Sequence, residues 1–241
     1  SSKIINIKDI KLLNPNLKSK VLKDIKKIST KRKYFNHPTL MGILNMTPDS
    51  FSDGGKFNKK NKAFKQIKFM IKSGADIIDV GGESTRPGSL TINPDKEWKR
   101  ISSIVKSFKK KFPKFLLSID TRKSEIIKKA IKYNTDIIND VSSFNYDKKT
   151  INVIRNRNVW KIIHHMQGTP KTMQLQPKYK NVLLDIYDFF EDKIKNQLRG
   201  KKYLNKIILD PGIGFGKNLK HNMMLMSKIS LFHSLGFPIL I

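Results

Sequence analysis

From Leu40 onward, short β-branched runs alternate with amphipathic stretches, and almost every run ends in a polar side chain. These two observations predict an α/β chain, a TIM-type (β/α)8 barrel truncated within or just after its seventh strand. The length of 241 residues agrees, because such barrels typically take about 250. Residues 1–37 read as an N-terminal extension packed on the barrel, and residues 38–241 as the barrel domain, incomplete at its C-terminus.

The expected strands run Leu40 to Asn45, Ala75 to Gly82, Phe115 to Asp120, Asp136 to Asp140, Val159 to His164, Lys206 to Asp210 and Pro238 to Ile241. Most are continuous apolar runs, as strands covered by helices should be. The first intervening helix carries Ala63, Phe64, Ile67 and Ile71 on one side and stops at Gly74. The second opens with Asn93 before Pro94, a capping residue followed by proline at the first helical position. It buries Trp98, Ile101, Val105, Phe108 and Phe112. The third offers Ile126, Ile127, Ala130 and Ile131; a fourth rests only on Ile151, Val153 and Ile154. A fifth aligns Val182, Leu183, Ile186, Phe190 and Ile194, and the last uses Leu225, Ile229, Phe232 and Leu235 before Gly236. The Lys-rich segment from Ser1 to Thr39 predicts a short extended piece and a helical turn.

With no cysteine, the chain has neither a disulfide framework nor thiolate metal sites, which predicts a cytoplasmic protein. No apolar run approaches the ~20 residues that span a bilayer, and no signal-peptide segment opens the sequence. Lys and Arg number 49 against 19 Asp and Glu, a net charge of +30. That excess could bind nucleic acid or steer a polyanionic substrate. The lysines are scattered through every helix and not gathered in one stripe, so they read as compositional drift, and no nucleic-acid partner is expected.

In such a barrel the C-terminal strand ends share one site. Here those ends carry Asn45, then Glu83-Ser-Thr85-Arg86, Asp120, Asn139-Asp140, His164-His165 and Asp210. One Asp or Asn alone could be a turn or cap residue, but six ends of the same kind favour a site. Carboxylates and amides suit the donor and acceptor edge of a flat heterocycle such as a pterin, and Arg86 suits an anionic group. Three polar, glycine-rich loops follow strands: Met46 to Gly55, with Phe51 and the character of a mobile lid; Gly81 to Gly88; and Asp210 to Lys217. The last fits neither the Walker A spacing nor G-x-G-x-x-G. His164 and His165 are neighbours on a strand and face opposite ways, so they do not read as ligands of one ion, and one of them should face the mouth.

Met41-Gly-Ile-Leu-Asn45-Met-Thr-Pro-Asp-Ser-Phe-Ser-Asp-Gly-Gly55 and Ala75-Asp-Ile-Ile-Asp-Val-Gly-Gly-Glu-Ser-Thr-Arg-Pro-Gly88 resemble the two signature segments of the dihydropteroate synthases. Ser118-Ile-Asp-Thr121, Ile137-Ile-Asn-Asp140, His165-Met-Gln-Gly168 and Leu209-Asp-Pro-Gly-Ile-Gly-Phe-Gly-Lys-Asn218 are similar to the later motifs of that family, in order. The resemblance implies displacement of pyrophosphate from 6-hydroxymethyl-7,8-dihydropterin pyrophosphate by the amine of p-aminobenzoate. It implies that Asp120, Asn139 and Asp210 hold the pterin, with Asp210 on its donor edge, and that Asn45 helps hold Mg²⁺ and the pyrophosphate. Pro48, Phe51, Thr85, Pro87 and Phe215 would shape the p-aminobenzoate pocket, with Met166 among the substrate contacts. Arg86 would work beside the substrates, and Asp120 would stabilise a carbocation-like methylene. Family members carry Lys, Arg and His motifs on and after the last strands, beyond Ile241 here, and their homodimer contacts use the late helices. The expectation is therefore a barrel with open strand edges. Other readings are a catalytically impaired pterin-binding remnant and a methyltetrahydrofolate-binding methyltransferase domain, against which the Thr47 to Asp53 loop argues.

Overall fold

The computed structural model describes residues 6–29, 38–47, 56–84, 89–169, 172–197 and 205–241. Six parallel strands lie side by side in chain order: β1 (Met41–Asn45), β2 (Ile77–Gly81), β3 (Leu116–Asp120), β4 (Ile137–Asp140), β5 (Trp160–His164) and β6 (Ile207–Asp210). Helices connect them: α2 (Lys56–Lys72), α3 (Pro94–Lys111), α4 (Ser124–Ile131), the single turn α5 (Thr150–Ile154) and α6 (Val182–Asp192). Before β1 comes α1 (Pro15–Ser29), and after β6 comes α7 (Leu219–Ser227).

Alternation along each strand divides the side chains into two cores. Leu44, Ile78, Val80, Leu117, Ile119, Ile138, Ile163, Ile207 and Leu209 face outward and meet the helices. From α3 come Ile101, Ile104, Val105 and Phe108, none more than 1% exposed. Each such burial is worth about 1.5–3 kcal/mol. The inner face carries a smaller cluster, Ile77, Ile137, Ile162 and Ile208, with Met41, Leu116, Trp160 and Leu240 against it. This floor closes the N-terminal end of the strands, so the polar residues above it can converge only at the other end.

The structure departs from expectation in three places. Pro238 to Ile241 is not a strand: Leu209 and Ile239 form a single parallel bridge, held by Leu209 N–H to Pro238 O (2.9 Å) and Leu240 N–H to Leu209 O (2.8 Å). Pro238 has no N–H to extend the ladder, and Gly236 turns the chain in a left-handed conformation just before it (φ 85°). The predicted last helix is two pieces, α7 and a 3-10 segment Ile229–Leu235, broken at Lys228. The second piece sets Phe232 edge-on against Phe190 of α6 at 5.6 Å. The N-terminal segment forms a fifteen-residue helix, not a mere turn. Asn14 Oδ1 accepts from Leu17 N–H at 2.9 Å, and Pro15 takes the first helical position. The Asn-Pro signal read at Asn93 was present here as well. α1 packs against the 3-10 segment Ile229–Leu235.

Candidate functional site

The register puts Asn45, Gly81, Asp120, Asn139 and Ile162 level with one another across β1 to β5, and His164 level with Asp210 across β5 and β6. Two residues down each strand, Ile43, Asp79, Ser118 and Ile137 form the next row. Gly81 lets the upper row draw together: a Cβ there would lie 3.4 Å from Asn45 Oδ1 and 3.4 Å from Asp120 Oδ2. Asn139 Nδ2 reaches down and donates to Asp79 Oδ2 at 3.1 Å.

Four interior polar atoms from these rows have no partner among the described residues: Asp79 Oδ1, Ser118 Oγ, Asn139 Oδ1 and His164 Nε2, all buried. Buried polar groups are nearly always hydrogen-bonded, so four orphans from four adjacent strands call for a bound species. Burial raises the Asp79 carboxyl above its ordinary value; the neighbouring Ser118 hydroxyl and the Asn139 amide oppose this, and the nearby Asp210 charge adds to it. Asp120 lies well above the usual carboxylate range, first through burial and then through the charges of Asp79, Asp140, Glu97 and Glu83. A cationic or donor-rich guest would relieve this crowding of acids.

Asp79 lies in the middle of its strand, so a pattern of polar strand ends does not include it. Its signal was a carboxylate in the middle of the apolar run Ile77-Ile78-Asp79-Val80, in phase with the inward-facing Gly81. Asp140, by contrast, turns away from the interior. Its Oδ1 accepts from Ser142 N–H (2.7 Å) and Oγ (2.6 Å), and its Oδ2 from Phe144 N–H (3.1 Å). It braces a turn in which Ser143 and Phe144 both adopt positive φ (51° and 65°). Burial pushes its carboxyl up to about 6, against the pull of those bonds.

On the β5–β6 side, His164 faces the interior and its Nδ1 lies 2.9 Å from Asp210 Oδ2, while Asp210 Oδ1 accepts from Gly212 N–H at 2.7 Å. Phe215 meets the His164 ring edge-on at 4.7 Å. His165 points the other way, against Phe189 at 4.9 Å, and its pKa falls to about 3 through burial, then through Lys217 and His164. Lys217 Nζ bonds His165 Nδ1 (3.1 Å), His165 O (3.2 Å) and Phe215 O (2.8 Å), stapling the glycine-rich loop to the end of β5. Burial lowers its pKa to about 7. Gly212 is required by this packing, since a Cβ would stand 2.0 Å from His165 O at a φ of +69°.

The loop after β2 is held from beneath. Glu83 accepts from Arg122 (2.8 Å), Lys123 (2.9 Å) and Ile92 N–H (2.9 Å), and Lys123 reaches on to Glu97 at 2.5 Å. Burial pushes the Glu83 carboxyl up, but Arg122, the Ile92 amide and Lys123 outweigh it and hold it below its ordinary value. Arg122 and Lys123 immediately follow Asp120-Thr121, so this cluster couples the β2 loop to the residue at its centre.

Asn45, Asp120, Asn139, Asp210 and Phe215 thus sit around one mouth, and Met166 is half-buried just beyond β5. Pro48, Phe51, Thr85, Arg86 and Pro87 lie outside the described residues. Among the described residues no three His, Cys, Asp or Glu side chains cluster to hold a metal. No helix among them is long and apolar enough to cross a membrane. A separate cavity of about 860 Å³ lies between the N-termini of α3 and α4, lined by Asn93, Ser124, Tyr146 and Lys149, and shares none of the mouth residues.

Residues 41–241 match the family model described as pterin binding enzyme. The dihydropteroate synthase of Escherichia coli K12 is 41% identical over 206 residues, covering 86% of this chain and 72% of that protein. The dihydropteroate synthase of Yersinia pestis, solved with a sulfonamide drug complex, superposes with a TM-score of 0.77 at 38% identity over 84% of this chain and 73% of the other. The Xanthomonas albilineans enzyme, solved with 4-aminobenzoic acid, gives 0.77 at 30% identity over 85% of this chain and 72% of its own. With the ordered strands, the converging acids and amides and these matches, the chain belongs to the pterin-binding enzyme family, among the dihydropteroate synthases.

Proposed function

We propose that this chain joins a 6-hydroxymethyl-7,8-dihydropterin pyrophosphate to p-aminobenzoate, releasing pyrophosphate. The observation that carries the reading is the set of four polar atoms on the inner face of β2 to β5, beside Asp120 and Asp210, that have no partner among the described residues. A pterin offers a flat edge of N–H donors and ring acceptors, and Asp79, Asn139 and Asp210 supply the complementary groups without water's help. The ring stands on the apolar floor of Ile137 and Ile162.

In the reaction the C–O bond to pyrophosphate breaks, its electron pair leaves with the oxygen, and the amine nitrogen of p-aminobenzoate bonds the methylene carbon and gives up a proton. Positive charge develops on the pterin methylene. The carboxylates of buried Asp79 and half-buried Asp120 stabilise that charge, and the low-dielectric surroundings make their effect larger than in water. Asn45, exposed at the end of β1, fits the Mg²⁺ role: this ion takes one or two protein oxygens and fills its shell with water and phosphate. Bound there, Mg²⁺ would supply Lewis-acid stabilisation of the leaving pyrophosphate. Phe215, packed on His164 at the rim, would line the path of p-aminobenzoate. Thr85, Arg86, Pro48, Phe51 and Pro87 would complete the pocket and exclude water from the cation.

The test is pyrophosphate release by the 241-residue chain with the pterin pyrophosphate, p-aminobenzoate and Mg²⁺. Release that requires both organic substrates is expected. Failure of the chain to bind the pterin pyrophosphate at millimolar concentration would overturn the reading, whereas binding without turnover would leave a pterin-binding protein.

A further inference from the structure

We propose that His164 is a positioning residue for Asp210 and, through its second nitrogen, a further acceptor for the heterocycle that Asp210 grips. The inference deepens the reading above and rests on it for the identity of the ring. His164 is 4% exposed, points into the barrel from the last residue of β5, and approaches Asp210 Oδ2 through Nδ1 at 2.9 Å. The other carboxylate oxygen is taken by the Gly212 amide at 2.7 Å. Asp210 is therefore clamped from two sides, by a strand and by the loop that follows its own strand, and its plane cannot swing. An ionised carboxylate only accepts hydrogen bonds, so the imidazole proton belongs on Nδ1. In the neutral ring that leaves Nε2 as a bare lone pair, and this atom is buried and without a partner among the described residues.

A histidine serving only as filler has no use for this arrangement. Ile162, two residues earlier on the same face, fills its place with apolar atoms alone. A buried acceptor without a donor costs stability unless something arrives to satisfy it. No side chain at position 212 crowds Nε2: Gly212 has no Cβ, and one placed there would stand 3.0 Å from this nitrogen. Phe215 packs edge-on at 4.7 Å and fixes the ring's tilt. Asp210 and His164 together then present adjacent acceptors to one donor-bearing edge, a recognition element that the strand-end carboxylate alone does not make.

Two measurements decide the matter. Nitrogen NMR of the free wild-type chain reports the tautomer of each of its five histidines, with His164 assigned by comparison with His164→Asn. A protonated Nδ1 and an unprotonated Nε2 are expected; a proton on Nε2 would overturn the proposal whatever the variants do. Titration with 6-hydroxymethylpterin then compares wild type, His164→Asn, which keeps an amide N–H near the Nδ1 position, and His164→Leu, which has no nitrogen. The leucine variant should bind roughly 10- to 100-fold more weakly, the effect expected for losing hydrogen bonds that involve a charged group. The asparagine variant should recover part of that loss. Recovery separates positioning of Asp210 from simple packing, which both variants disturb. If wild type binds and His164→Leu binds equally well, only this inference fails. If wild type does not bind the pterin at all, the functional reading fails with it.

Discussion

Asp140 carries its charge in a buried turn that it also holds together, and its titration makes a specific prediction. Its carboxyl stands near 6 in the folded chain against an ordinary value of 3.8, so the folded state holds the proton more tightly than the unfolded state. Its contribution is fully present below the unfolded value and is lost as pH rises through about 6. The total is on the order of 3 kcal/mol, from 1.36 kcal/mol per unit. Urea denaturation between pH 4 and 7 should therefore show wild type losing ground to Asp140→Asn as pH rises; a constant difference would refute this. Asn139 is tested separately. Asn139→Ala removes the donor to Asp79 Oδ2 and should cost about 1–3 kcal/mol in the same experiment. Asp120, Asn139 and Asp210 could be named from the sequence because each ends an apolar run. Asp79 could not be reached by that rule, and its environment became evident only once the register placed it beneath Asn139.

The strands were legible in the sequence because covered parallel strands need unbroken β-branched runs, and nothing else of that length competes in Ile77-Ile78 or Ile207-Ile208. α3 was equally plain, since Asn93 accepts from Lys96 N–H at 2.8 Å and Pro94 begins the helix as read. α5 and the break at Lys228 were not, because a five-residue helix has too few positions to show a period and the break follows from tertiary packing of Phe232. The cluster joining Glu83, Arg122, Lys123 and Glu97 was invisible for a different reason: its members lie up to 40 residues apart. Lys123 sits between two buried acids, and since Glu83 keeps Arg122, Lys123→Met strands the Glu97 charge and should cost roughly 3–5 kcal/mol by thermal or urea melting. Adding Glu97→Gln should restore part of it. If the double variant is less stable than Lys123→Met by the full cost of a second lesion, the two residues do not act together.

Taken as one object, the protein is a curved row of six staves with an acidic mouth and a strongly basic exterior, +30 in formal charge. Opposite signs at rim and surround suit a substrate with an anionic tail and a donor-rich ring: the tail is drawn in by the lysines and the ring is retained by the acids. Stopped-flow measurement of pterin pyrophosphate binding should show an association rate that falls steeply as salt rises from 50 to 500 mM, since the Debye length shrinks from about 14 to about 4 Å over that range. A salt-independent rate would make the surface charge incidental. The chain also carries its own pair of optical probes, because it has just two tryptophans and the fold separates them. Trp98 lies on α3 stacked against Tyr133 outside the staves, 6.3 Å between ring centres, whereas Trp160 stands inside on the floor beneath Ile162 and His164. Replacing Trp98 by phenylalanine would leave a single tryptophan at the foot of the bore, so that filling of the interior could be followed by its emission alone, with no label attached and no turnover required.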